Sequence, residues 1–98
     1  MMKYDVIGSK REGYGVAQIV GHGDNLQSVT IYEPETDTPR WVARHIANIY
    51  NAGIHVPRGV EEWDLVMLLL AQKGAAFIGG AWRKIQPTTP RPPTPEAQ

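Results

Sequence analysis

The amino-acid sequence predicts an α+β fold in which two helices pack on a three- to four-stranded antiparallel sheet with meander topology. Short runs of alternating apolar and polar residues fill the first third of the chain, apolar residues at helical spacing follow, and proline dominates the end. We therefore expect one α+β domain over residues 1–86 and a disordered proline-rich tail over residues 87–98, because proline without apolar neighbours adds nothing to a core.

Three strands are predicted in the first third, at Lys3–Gly8, Val16–Val20 and Gln27–Glu33. The intervening segments, Ser9–Gly15 and Gly21–Asn25, are polar and rich in glycine, as hairpin loops are. Three antiparallel strands with one apolar face follow from this pattern.

The apolar period then changes to that of a helix, at about Pro39–Ala52. Thr38 is expected to cap this helix through its hydroxyl, with Pro39 at the first helical position, where its missing amide costs nothing. The apolar residues at helical spacing are Val42, Ile46, Ile49 and Tyr50.

A second helix is predicted from about Val60 to Lys73. Its apolar arc is wide, which indicates burial on two sides, either inside the fold or in a homodimer through this helix. The following segment, Ala75–Ile85, is predicted to be a strand bent at Gly79-Gly80, with an irregular return as the alternative.

Composition excludes several kinds of chemistry. Ten basic and ten acidic side chains cancel, which disfavours direct nucleic-acid binding. There is no cysteine and the three histidines are scattered, so we expect no catalytic residues, no metal site and no cofactor. No segment is long and apolar enough for a bilayer span, so no membrane partner is expected and a cytoplasmic location is the default.

The candidate partner-binding residues lie where an acidic stretch meets the first helix. They are Glu33, Glu35 and Asp37, expected in one loop, followed by Arg40, Trp41 and Arg44. A tryptophan beside arginines is typical of interface hot spots, although a tryptophan in so small a chain is also a core residue, and both interpretations of Trp41 stand.

The alternative is a nucleic-acid-binding module. Its residues would be Arg40, Trp41, Arg44, Arg83 and Lys84, combining cations with a ring on which a base could stack. The tail has overlapping Pro-x-x-Pro spacings around Arg91, which fit either docking in an aromatic groove or simple solubilisation.

Residues 43–57 resemble a segment of small tailed-phage and prophage accessory proteins. The segment runs Ala-Arg-His-Ile-Ala-Asn-Ile-Tyr-Asn-Ala and continues through Gly53 to Pro57; Ile49 and Tyr50 stand where smaller residues and a cysteine are expected. The resemblance implies a non-enzymatic phage-type protein that binds and inhibits or modulates a host protein or nucleoprotein complex. An anti-CRISPR-like inhibitor acting in the host cell cytoplasm is the specific form of this hypothesis.

Overall fold

The computed structural model describes residues 2–21 and 23–87 and confirms the α+β fold. The first three strands, β1 to β3, form one antiparallel sheet in chain order, and β4 and β5 form a separate two-stranded sheet. The predicted tail lies outside the described residues, except for Pro87. In chain order the elements are β1 (Met2–Ser9), β2 (Gly13–Val20), β3 (Gln27–Glu35), α1 (Arg40–Asn51), α2 (Glu62–Gln72), β4 (Ala75–Ile78) and β5 (Ala81–Lys84).

The β1–β2 hairpin has a shorter loop than the sequence pattern indicated. β2 begins at Gly13, which pairs with Ser9 across the hairpin, so three residues remain for the turn. Gly13 has a φ of 84°, a left-handed conformation that three-residue hairpins commonly place at this point. The predicted loop Ser9–Gly15 is therefore too long, because Gly13 and Gly15 belong to β2.

β3 runs further than expected, through Pro34 to Glu35. It is an edge strand, and an edge tolerates a proline because one row of its amides has no partner in the sheet. The prediction that Glu33 and Glu35 share a loop with Asp37 was consequently wrong. Both glutamates belong to the strand, and only Asp37 lies in the turn that follows.

The core forms where α1 crosses the sheet and meets α2. α1 packs on β1 and β2, and α2 packs on α1 and β4. Burial of these apolar side chains supplies the main driving force for folding. The core residues are Val16, Val42, Ala43, Ile46, Ala47, Ile49, Val66, Leu70 and Ala75.

Thr38 does not cap α1, contrary to expectation. Its side chain is buried and its hydroxyl hydrogen-bonds with the hydroxyl of Tyr32 at 3.2 Å. Its amide donates to the Glu35 carbonyl, and its carbonyl accepts from the Tyr14 amide. The residue that precedes the helix is Pro39, in extended conformation and without a side-chain cap. Thr38 therefore links the end of β3 to β2 through hydrogen bonds and does not cap the first turn of α1.

Asn51, the last residue of α1, binds the free edge of β1. Its carboxamide oxygen accepts from the Tyr4 amide at 2.8 Å, and its carboxamide nitrogen donates to the Tyr4 carbonyl at 2.8 Å. In an antiparallel pair, alternate residues direct both backbone groups away from the partner strand, and Tyr4 is such a residue. One side chain thus joins the helix to the sheet across a large separation in sequence.

The C-terminal strands form a hairpin and not the single bent strand that was predicted. Gly79 and Gly80 have φ values of 63° and 82°, as both central residues of a two-residue type I′ turn require. Phe77 pairs with Trp82 across the hairpin. β4 pairs with β5 alone and does not extend the first sheet.

α2 is more exposed than a helix buried on two sides. Val66 and Leu70 are buried, whereas Leu68 is 57% exposed and Trp63 is 40% exposed.

No helix within residues 2–21 and 23–87 combines the length and apolar character needed to cross a membrane.

Candidate binding site

An aromatic groove lies between β3, the start of α2 and the C-terminal hairpin. Tyr32 and Trp63 form its first ring pair, stacked with centroids 5.2 Å apart and planes 12° apart. Phe77 and Trp82 form the second pair, edge to face with centroids 5.4 Å apart. The groove has a volume of about 310 Å³, and Met67, Glu35 and Asp37 complete its lining. We call this site the aromatic groove.

The position of Tyr32 follows from its contacts on both sides. The hydroxyl bonds to buried Thr38 while the ring stacks on Trp63, so the ring is held at the groove surface by the interior of the protein. Burial raises the pKa of the Tyr32 hydroxyl, the hydrogen bond with Thr38 partly offsets this rise, and the negative charges of Glu35 and Asp37 add to it. Tyr32 is therefore neutral in the groove at physiological pH.

The lining of the groove is negatively charged. Among the described residues, its lining holds the carboxylates of Glu35 and Asp37 and no basic side chain. Both acidic residues are exposed, so their charges stand at the rim of the aromatic surface and not inside it. The groove therefore suits a ligand with a flat apolar part and a positive charge.

The structure does not bring the predicted partner-binding residues together in one site. Glu35 and Asp37 line the aromatic groove, whereas Glu33 is exposed on β3 and is not among the groove residues. Arg40 is exposed at the first residue of α1. Arg44 forms an ion pair with Asp5 on β1 at 3.2 Å. The pKa of the Asp5 carboxyl is lowered. The largest cause is the hydrogen bond that the Val6 amide donates to this carboxyl, and the positive charge of Arg44 lowers the pKa further.

Trp41 is neither a fully buried core residue nor a fully exposed interface residue, which were the two interpretations that the sequence allowed. It is half-buried against the core, and its ring is covered by Lys84, whose Nζ lies 5.4 Å from the ring centroid. His45 meets the same ring edge to face, with centroids 6.1 Å apart. Burial lowers the pKa of His45, as do the charges of Lys73 and Lys84. His45 contacts Trp41 and is near enough to Lys73 and Lys84 for their charges to act on it, so these four residues define a small basic patch.

Five residues of the groove were not predicted as site residues, namely Tyr32, Trp63, Met67, Phe77 and Trp82. Trp63 shows why. Its spacing places it on one helix face with Val66, Met67 and Leu70, which is the pattern of a core residue, whereas it is 40% exposed. The alternation of β3 also places Tyr32 on the face opposite Ile31. That the two rings meet could not be derived from sequence, because it depends on how α2 packs.

A second groove lies where the end of α1 meets β1 and the first residue of α2, and it is lined by Tyr4, Tyr50, Asn51, Gly53, Ile54 and Glu62. The rings of Tyr4 and Tyr50 are 5.2 Å apart. Within the described ranges, no three His, Asp or Glu side chains are placed to hold a metal ion.

The stability of the protein should fall between about pH 10 and pH 12 because of Tyr50. Burial, the charge of Glu62 and a hydrogen bond to that carboxylate raise the pKa of Tyr50 from 10.0 to about 12. The folded state therefore holds a proton that the unfolded state has already lost in this range, and stability decreases as pH rises. Urea unfolding across the range should show this decline for wild type and a shallower one for Tyr50→Phe. An identical decline in both proteins would contradict the assignment to Tyr50.

Comparisons of the chain with protein-family models, curated proteins and solved structures found no match.

Proposed function

We propose that this chain is a small non-enzymatic protein of phage type that binds and inhibits or modulates a host protein or nucleoprotein complex. Anti-CRISPR-like inhibition in the host cytoplasm is the specific mode we propose. The observation that carries the proposal is the aromatic groove with Trp63 exposed at its surface and carboxylates at its rim.

The composition of the groove supports binding of a macromolecule. Binding energy at protein interfaces concentrates in a few aromatic and arginine residues, with charged groups around them. Trp63 is 40% exposed although it stacks on Tyr32, so it offers a partner a large apolar area in a fixed orientation. Glu35 and Asp37 at the rim would steer a basic surface towards it.

The other predicted residues extend this surface. Asp37 lines the groove and leads directly into Arg40 and Trp41, and the hairpin connects Trp82 in the groove to Lys84 over Trp41. A partner larger than the groove would contact both the acidic rim of the groove and the basic side chains of Arg40 and Lys84. The resemblance of residues 43–57 to phage accessory proteins supports a host complex as that partner, and self-association through the outer face of α2 remains part of the proposal.

The test combines a plaque assay with purified variants. Bacteria with an active CRISPR system directed against a phage should allow more plaques when they express the wild-type chain. Trp63→Ala should weaken binding to the purified effector complex by about 30-fold, since a hot-spot tryptophan contributes about 2 kcal/mol. Leu68→Ala is the matched control, because Leu68 is an exposed apolar residue of the same helix outside the groove.

Three outcomes would count against the proposal. Unchanged plaque counts together with no binding to effector complexes would exclude anti-CRISPR activity. Equal losses for Trp63→Ala and Leu68→Ala would remove the groove as the binding site. Binding of oligonucleotides that weakens steeply between about 50 and 200 mM salt, and that Lys84→Glu abolishes, would favour the nucleic-acid alternative at the basic patch.

A further inference from the structure

The aromatic groove has the chemistry that recognises proline-rich segments. Extended peptides in the polyproline II conformation dock on grooves lined by aromatic side chains, and their preformed backbone limits the loss of entropy on binding. The groove presents Tyr32, Trp63 and Trp82 to such a peptide, with Phe77 beside them. The chain itself carries a segment of this type, residues 88–98, with the sequence Thr-Thr-Pro-Arg-Pro-Pro-Thr-Pro-Glu-Ala-Gln.

We propose that the aromatic groove is the docking site of the chain's own segment 88–98. The prolines contact the aromatic rings, and Arg91 lies against the carboxylates of Glu35 and Asp37. This inference does not depend on an external partner. If such a partner uses the groove, the segment competes with it and reduces its apparent affinity.

Charge complementarity supports this occupant. Arg91 is the basic residue of the segment and is flanked by Pro90 and Pro92. The described groove lining carries two carboxylates and no cation. Arg91 therefore lies within the stretch of prolines that would dock, and a guanidinium binds carboxylates through two parallel hydrogen bonds.

The segment also begins close enough to reach the groove. The amide of Ile85 donates to the carbonyl of Gly74 at 2.8 Å, which fixes where the chain leaves the hairpin. Pro87 is five residues beyond Trp82, at most about 17 Å away at the rise of an extended strand. A polyproline II segment rises about 3.1 Å per residue, so residues 88–98 span about 34 Å and can return to the groove.

A nitroxide label on the full chain tests the proposal. The chain has no cysteine, so Ala97→Cys provides one attachment point. The label should broaden the indole N–H signals of Trp63 and Trp82 until most of their intensity is lost. The amide signals of Gly23 and Asp24 should keep their intensity, because their turn precedes β3, and β3 itself extends about 27 Å from Gln27 to Glu35 at the rise of a strand.

Charge-reversal variants of the labelled chain test the arginine contact. Glu35→Lys with Asp37→Lys should restore the intensity of the Trp63 and Trp82 signals, and adding Arg91→Asp to this variant should broaden them again. Glu33→Lys is the matched control, since Glu33 lies on the same strand outside the groove, and it should leave the broadening unchanged.

The opposing outcomes are distinct. Absent or uniform broadening would show that the segment does not dock, and broadening that survives the reversal of Glu35 and Asp37 would refute the arginine contact. A mixture of isotope-labelled chains without nitroxide and nitroxide chains without isotope reports contacts between molecules. Equal broadening of Trp63 and Trp82 in that mixture would mean that the segment binds a second copy, which would overturn docking within one chain.

Discussion

Replacing Gly13 by alanine should greatly reduce the free energy of unfolding of the protein. A Cβ atom at this position would overlap the backbone of Glu35 and Thr36, because β2 and β3 approach each other closely there. The neighbouring groups are backbone atoms fixed by the sheet, so they cannot move aside. We expect a cost above about 4 kcal/mol, which belongs to the exceptional end of single substitutions. That cost is comparable to the whole stability of a domain of this length, about 4–12 kcal/mol.

Gly53→Ala is the control that separates the overlap from backbone strain. Gly53 has the same φ as Gly13, 84°, yet a Cβ there would meet no atom within 4 Å. Alanine in the left-handed region costs about 1–2 kcal/mol by itself. Circular dichroism and urea unfolding should show Gly53→Ala folded and slightly weakened. Similar losses for both variants would mean that conformation alone matters and that β3 does not approach Gly13 as described.

The second large effect is expected at Leu70. Leu70 is fully buried at 0% exposure, where α2 meets the rest of the core. Leu70→Ala removes buried methyl groups and leaves a cavity, so the free energy of unfolding should fall by about 2–5 kcal/mol. Chemical unfolding monitored by tryptophan fluorescence gives this quantity directly.

Leu68→Ala is the same chemical change two residues earlier on the same helix. Leu68 is 57% exposed, so its truncation should change the stability by no more than about 0.5 kcal/mol. A large loss at Leu68 that grows with protein concentration would instead show that the outer face of α2 is covered in a homodimer. A large loss independent of concentration would place α2 in a different rotation about its axis.

The sequence is sufficient to predict those strands and helices whose residue pattern depends only on neighbours along the chain. The alternation in β1 and the apolar spacing in α1 arise from one-sided burial that the periodicity records directly. The alternation also located β3, but the apolar residues Val29 and Ile31 of that strand are exposed instead of buried. Pro34 and Thr38 were misassigned because their roles depend on tertiary neighbours. Pro34 continues a strand because that strand is at an edge of the sheet. The hydroxyl of Thr38 forms a hydrogen bond with the hydroxyl of Tyr32 and therefore does not cap the helix.

The candidate site was predictable only in part for the same reason. Glu35 and Asp37 were expected in a binding surface, and they do line the aromatic groove. Their aromatic companion was expected to be Trp41, next to them in sequence, whereas the structure places Trp63 there. The packing angle of α2 decides this, and no residue spacing encodes that angle.

The Asn51 contact bears on how the protein avoids aggregation. Exposed edge strands can recruit strands from other molecules through their unpaired backbone groups. On β1, the carboxamide of Asn51 already occupies the amide and carbonyl of Tyr4, so an incoming strand must first displace a side chain anchored on a helix. β3 is the opposite edge of the sheet, and its residues Val29 and Ile31 are exposed. Intermolecular β-pairing in concentrated solution should therefore begin at β3 and not at β1.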